Sequence, residues 1–135
     1  MAIGSSPRQQ LGEQHERAAH RFLCAQGLKP IDKNFRCKTG ELDLIFSQDN
    51  TLTIAEVRYR SRQDFGGAAA SIGQAKQQRI VRATETFLQR YPVFRHCSVR
   101  FDIVAINALA NNSAENPEIE TSIEWLQDAF RPGFY

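Results

Sequence analysis

A chain of 135 residues has the commonest size of one domain and is long enough to bury a core without disulfides or a structural metal. Hydrophobic residues make up 41% and charged residues 24%, as in ordinary globular proteins, and no segment approaches the about 20 apolar residues that span a bilayer. We therefore expect one domain over residues 1–135 that does not cross a membrane and, because the N-terminus lacks a secretory signal, stays in the cytoplasm.

The first predicted element is a helix over about residues 7–26. Ser6 precedes Pro7 and stands three residues before Gln9, which is the pattern of a capping box with Pro at the first helical position. Apolar residues then recur at helical spacing until Gly27. A glycine directly after such a stripe predicts the end of the helix.

Three strands are predicted next, at residues 31–37, 41–47 and 52–59, where Leu, Ile, Val and Phe are concentrated. Asp49 and Asn50 separate the last two strands. Both residue types favour tight turns, so the two strands form a hairpin.

The second half predicts a helix and two more strands. Ser71 is expected to cap a second helix, with Gln74 as its capping partner, that ends at Pro92. Residues 98–107 are an apolar strand, and alternation from 119 to 125 predicts a short edge strand. The resulting order is αβββαβ followed by this final strand.

A hairpin that turns at residues 49 and 50 pairs Gln48 with Thr51 and keeps the sum of opposed residue numbers at 99. Side chains alternate along a strand, so Leu42 and Leu44 are expected on one apolar face. The opposite face is then expected to carry the charged residues of the hairpin.

The same register sets Asp43 opposite Glu56. Two directly opposed carboxylates repel each other unless something between them compensates. A divalent cation would do so, because Mg²⁺ is held by one or two carboxylates together with water and phosphate. The alternative is that both acids are solvated on an exposed sheet face, and a three-residue turn would shift the register and separate them.

Positive charge is concentrated in one part of the chain, although the net charge is only +2. Residues 56–82 hold six basic side chains against two acids, which favours a face that binds a polyanion such as nucleic acid. A solvated surface is the alternative explanation. The basic residues are Arg58, Arg60, Arg62, Lys76, Arg79 and Arg82.

Several separated segments together resemble the YraN family of bacterial nuclease-like proteins over roughly residues 10–130. The matching segments, in chain order, are residues 40–45 (GELDLI), 55–60 (AEVRYR), 65–67 (FGG), Ser71, Lys76 and residues 100–102 (RFD). That family is similar to archaeal Holliday-junction resolvases and to the PD-(D/E)xK nucleases. The resemblance implies a restriction-endonuclease-like α/β fold, in which an αβββαβ core forms a mixed central sheet flanked by helices. It also implies Mg²⁺- or Mn²⁺-dependent cleavage of DNA, including branched DNA, and homodimers.

The resemblance assigns a role to each candidate site residue. Asp43 and Glu56 match the two motif acids, Glu13 matches an acid of the first helix, and the three would gather the metal. Arg58 stands where the larger superfamily has Lys. Arginine stays protonated and cannot act as a general base, but it can orient a phosphate. Lys76 could place its amine in the site instead.

Two further basic residues, Arg60 and Arg79, are expected to contact nucleic acid beside the metal. Glu13 has a simpler alternative, since Arg17 lies four residues later and could form a helix-surface pair. Asp102 is expected to make structural hydrogen bonds. Three functions remain open: an endonuclease, a nucleic-acid-binding module that has lost turnover, and a protein-interaction domain.

Overall fold

A computed structural model of the chain describes residues 6–61, 67, 72–108 and 121–132. Five strands form one sheet in the order β1-β2-β3-β4-β5, in which β3 and β4 run parallel and the other neighbouring pairs run antiparallel. The predicted mixed sheet flanked by helices is confirmed, with β5 at an edge. The elements are α1 (Pro7–Ala25), β1 (Lys29–Cys37), β2 (Gly40–Gln48), β3 (Thr51–Arg60), α2 (Gln74–Arg90), a 3₁₀ turn (Pro92–Phe94), β4 (Ser98–Ala108) and β5 (Thr121–Phe130).

Each helix covers one face of the sheet. On the α1 side, Ala19 and Leu23 pack against Leu44 and Phe46. On the α2 side, the helix residues Ile80, Ala83 and Phe87 pack on the strand residues Ile45, Leu52, Ile54 and Ile103. The face expected to be charged is the α2 side. Part of it is core, where Ile45 and Ile54 are buried beneath α2, and alternation along β3 places Glu56, Arg58 and Arg60 on the same side. Neither helix among the described residues has an apolar stretch long enough to cross a membrane.

Helix α1 begins and ends as its sequence predicts. The Ser6 side chain accepts a hydrogen bond from the backbone N–H of Gln9, and the Gln9 side chain accepts one from the backbone N–H of Ser6. At the other end Gly27 has a φ of +91°, and the Leu28 N–H donates to the carbonyl of Leu23. A glycine at this left-handed position closes the helix without steric cost.

Helix α2 begins later than predicted. Gly73, not Ser71, is the N-cap residue, and no side chain caps the helix there. Ile72 is buried in the core below the helix, and Gly73 is extended with ψ 165°, so the chain must leave the core before it turns. Ser71 lies outside the described residues, as do residues 62–66, 68–70 and 109–120.

The predicted hairpin register is confirmed from Gln48–Thr51 to Leu44–Ala55, where every pair sums to 99. The predicted alternation fails beyond that point. Leu42 packs in the cluster on the α2 side, whereas Leu44 packs in the cluster on the α1 side. The strand between them therefore twists, next to Asn34 of β1, whose φ is +53°.

Candidate functional site

The backbone pairing of β2 and β3 is replaced by side-chain hydrogen bonds where the two strands reach Asp43 and Glu56. The N–H of Val57 donates to Oδ2 of Asp43 at 2.9 Å. The N–H of Asp43 donates to Oε1 of Glu56 at 3.5 Å. Each bond joins one strand to a carboxylate of the other, so the two acids lie side by side.

Glu56 is almost completely buried, with 1% of its surface exposed. Burial raises the pKa of Glu56 well above its ordinary range, and the neighbouring carboxylate of Asp43 raises this pKa further, whereas the charge of Lys76 lowers it. A negative charge at this position therefore needs compensation. A proton or a bound cation would provide it.

A cavity of about 450 Å³ opens beside the two acids. Helix α2 contributes Lys76 and Arg79 to its wall. The close approach of this helix depends on Gly40, since a Cβ atom there would lie 3.1 Å from the carbonyl oxygen of Arg79. Sequence patterns far apart in the chain thus place the cations Lys76 and Arg79 of α2 beside the carboxylates of Asp43 and Glu56.

Sequence reasoning missed Glu16 of α1. Burial raises the pKa of the Glu16 carboxyl, and the charge of Asp43 raises it further, although a hydrogen bond with Asn34 opposes this shift. Glu16 precedes the buried residues Ala19 and Leu23 by three and seven positions, so helical periodicity places it on the face toward the sheet. This spacing in the sequence could have identified Glu16 as a residue that faces the sheet.

Glu13 takes a different position. Its side chain is 60% exposed and lies 4.0 Å from the guanidinium of Arg17, as the simpler alternative proposed. Within residues 6–61, 67, 72–108 and 121–132, no three His, Cys, Asp or Glu side chains are grouped closely enough to hold a metal ion. The structure thus brings together Asp43 and Glu56, with Glu16 rather than Glu13 in electrostatic range of Asp43.

The basic residues of β3 follow Glu56 along the strand. Arg58 and Arg60 stand two and four residues after it, so alternation directs all three to the α2 side of the sheet. Tyr59 points the other way and stacks on His15 of α1, with ring centroids 4.6 Å apart. Both arginines are half-buried.

Asp102 has the structural role that the sequence predicted. It is fully buried and accepts two 2.9 Å hydrogen bonds from Arg100. The indole N–H of Trp125 and the backbone N–H of Asp128 each donate to it at 2.9 Å. These contacts tie β4 to β5 on the α1 side of the sheet, away from the Asp43–Glu56 cavity.

Known bacterial proteins are similar to this chain along most of its length. The family model for the uncharacterised protein family UPF0102 matches residues 15–106. The chain belongs to UPF0102. A UPF0102 protein of Methylobacillus flagellatus is 44% identical over 121 residues, covering 90% of this chain and 96% of the relative. A UPF0102 protein of Vibrio parahaemolyticus is 33% identical over 131 residues, covering 97% of this chain and 100% of the relative.

UPF0102 is the YraN family that the sequence motifs indicated. The segment matched to the UPF0102 family includes Glu16, Asp43, Glu56 and Lys76. It begins two residues after Glu13, so the match leaves Glu13 out.

Proposed function

We propose that this UPF0102 member is a metal-dependent endonuclease that hydrolyses phosphodiester bonds in DNA, including branched DNA. One observation carries the proposal: the buried carboxyl of Glu56 lies beside the carboxylate of Asp43 in a cavity whose wall also contains three cationic side chains, Arg36, Lys76 and Arg79. Burying an uncompensated charge costs several kcal/mol, so the pair is maintained at a cost to stability. Hydrolysis of a polyanion by a metal ion uses such an arrangement.

The donor atoms fit a hard divalent cation. Mg²⁺ and Mn²⁺ prefer carboxylate oxygens, and Asp43 and Glu56 both offer them. Such a cation supplies charge neutralisation and lowers the pKa of a bound water molecule. The cavity is wide enough at about 450 Å³ to admit a phosphate group and solvent as well.

Lys76 and Arg79 act on the phosphate in this proposal. The planar guanidinium of Arg79 can donate two parallel hydrogen bonds to phosphate oxygens, and the amine of Lys76 provides a compact charge. Lys76 is close enough to Glu56 to lower its pKa. Arg58 occupies the superfamily's Lys position but stays protonated, so we assign the orientation of the attacking water to Lys76.

A nucleic-acid-binding module without turnover is the second candidate. The identity of Arg58 favours it, because the superfamily's motif lysine is absent at that position. This candidate predicts DNA binding that uses the same basic residues and no cleavage under any metal.

A cleavage assay separates the two candidates. The purified protein is incubated with linear, single-stranded and four-way-junction DNA in Mg²⁺, Mn²⁺ or EDTA. We expect metal-dependent cleavage that Asp43→Asn and Glu56→Gln each reduce by about 100-fold or more, since the loss of even the partners of metal ligands costs 10–100-fold. Glu85→Gln is the matched control, because it removes an exposed carboxylate of α2 that lines none of the cavities described at the site, and it should leave the rate within about twofold.

Two outcomes contradict the endonuclease. Binding without cleavage in every metal supports the second candidate. Cleavage by Asp43→Asn at the parent rate places the activity elsewhere in the chain or in a contaminant.

A further inference from the structure

The cavity beside Asp43 and Glu56 continues onto the other side of the sheet. Arg36 and Glu41, at the end of the β1–β2 hairpin, line this cavity and also a second one of about 280 Å³. The second cavity has α1 residues in its wall, Glu13 and Glu16 among them. Because α1 and α2 cover opposite faces of the sheet, the two cavities meet around the hairpin end.

A third cavity, of about 610 Å³, extends this path along α1. It shares Glu13 and Glu16 with the second cavity. Its wall contains three exposed cations, Arg17 and Arg21 of α1 and Lys33 of β1, which we call the α1-side basic cluster. The pair of Arg17 with Glu13 is weak, since both side chains are more than half exposed.

The shape of this groove discriminates between forms of DNA. The path passes from one face of the sheet to the other, a distance on the order of the 10 Å that separates packed layers. Duplex DNA has a persistence length of about 50 nm and cannot turn so sharply without a large deformation energy. A single strand is flexible enough to follow the groove and presents the same phosphates.

We propose that the α1-side basic cluster binds a single-stranded segment of the substrate, which leaves the Asp43–Glu56 cavity and turns around the end of the β1–β2 hairpin. The substrate class is DNA with a single-stranded tail next to the cleaved bond, not a blunt duplex. This inference rests on the proposed function for the position of that bond. The basic cluster itself lies outside the residues 56–82 in which the sequence concentrates positive charge.

Fluorescence anisotropy in EDTA tests the inference with three labelled DNAs: a blunt 20-base-pair duplex, the same duplex with a 15-nucleotide tail, and the tail alone. The parent should bind the tailed duplex about tenfold or more tightly than the blunt duplex. Arg21→Gln with Lys33→Gln should abolish that preference and leave the affinity for the blunt duplex within about twofold. The salt slope for the tailed DNA should fall by about 1.4, which is 0.7 for each lost single-strand contact.

Arg95→Gln is the control for Arg21→Gln, because it removes an exposed arginine that lines none of the three cavities. The inference is overturned if the parent shows no preference for the tail, or if the double variant weakens blunt and tailed binding equally. A tail preference that depends on Arg21 and Lys33, without cleavage in any metal, supports the inference and rejects the endonuclease. Cleavage that depends on Asp43 without a tail preference rejects the inference alone.

Discussion

Glu56 occupies a position that an apolar side chain would fill at a lower free energy. Ile54 precedes it by two residues on the same face, and Ile103 of β4 lies opposite it in the parallel register. Both neighbours are completely buried. A carboxyl group kept in such surroundings beside Asp43 reduces stability, which is the usual cost of a functional site.

This cost predicts how stability depends on pH when no metal is present. The pKa of Glu56 is raised in the folded protein, so its proton is held more tightly there than in the unfolded chain. The stabilisation is fully present below about pH 4.3, the ordinary value for Glu, and is lost as the pH rises through the folded pKa. Glu56→Gln should remove this loss and be more stable than the parent at pH 8.

Urea unfolding at pH 5 and pH 8 in EDTA measures the effect. The difference in unfolding free energy between Glu56→Gln and the parent should grow with pH. Glu85→Gln again serves as the control, since that carboxylate is exposed. Equal pH dependence in the parent and Glu56→Gln would contradict a raised pKa at this position.

Structural features that depend only on neighbouring residues could be predicted from the sequence. The capping residues Ser6 and Gln9 interact within one helical turn, so the start of α1 was predictable. The turn at Asp49 and Asn50 fixes the β2–β3 register by its length as far as Leu44 and Ala55, and side-chain hydrogen bonds bring Asp43 and Glu56 together at the next position.

The features that were not predicted depend on contacts between distant parts of the chain. Leu42 and Leu44 face opposite helices because the strand twists beside Asn34, which no alternation pattern reveals. Glu16 interacts with Asp43 only because α1 lies across this twisted end of the sheet. The start of α2 depends on burial of Ile72 below it. Tertiary packing overrides local preference in each case.

The β4–β5 pair supports a second stability prediction. Its register shifts between Phe101 and Ile103, where β5 carries extra residues and Asp128 has a φ of +53°. Asp102 stabilises this bulge by accepting from the Asp128 N–H and the Trp125 indole. Asp102→Ala leaves these donors and Arg100 without their acceptor, so it should cost about 3–5 kcal/mol.

Unfolding followed by tryptophan fluorescence measures this loss, because Trp125 is the only tryptophan in the chain and donates directly to Asp102. Asp128→Ala is the comparison, since the Asp128 backbone N–H remains able to donate when its side chain is removed. A cost below about 1 kcal/mol for Asp102→Ala would show that the bulge holds without this carboxylate.

Although the net charge of the chain is only +2, its positive and negative side chains are strongly separated. The α2 side carries Lys76 and Arg79 at the cavity, with Arg58 and Arg60 directed to the same side by β3. The carboxylates of Glu13, Glu16 and Glu41 lie between these cations and the α1-side basic cluster. Such local fields, more than the total, determine how a polyanion is held.

The affinity of the protein for duplex DNA should decrease as the salt concentration rises. If Arg58, Arg60, Lys76 and Arg79 each contact one phosphate, four counterions are released, and the logarithm of the affinity should fall with the logarithm of salt with a slope of about −3.6. Anisotropy with a blunt duplex between 50 and 200 mM salt should therefore record a loss of about two orders of magnitude. Lys76→Gln should reduce the slope by about 0.9, whereas Arg95→Gln should leave it unchanged, because Arg95 lies on the 3₁₀ turn away from the cavity. Binding that does not depend on salt, or no binding at 50 mM, would contradict a nucleic-acid interface and favour a protein-interaction domain.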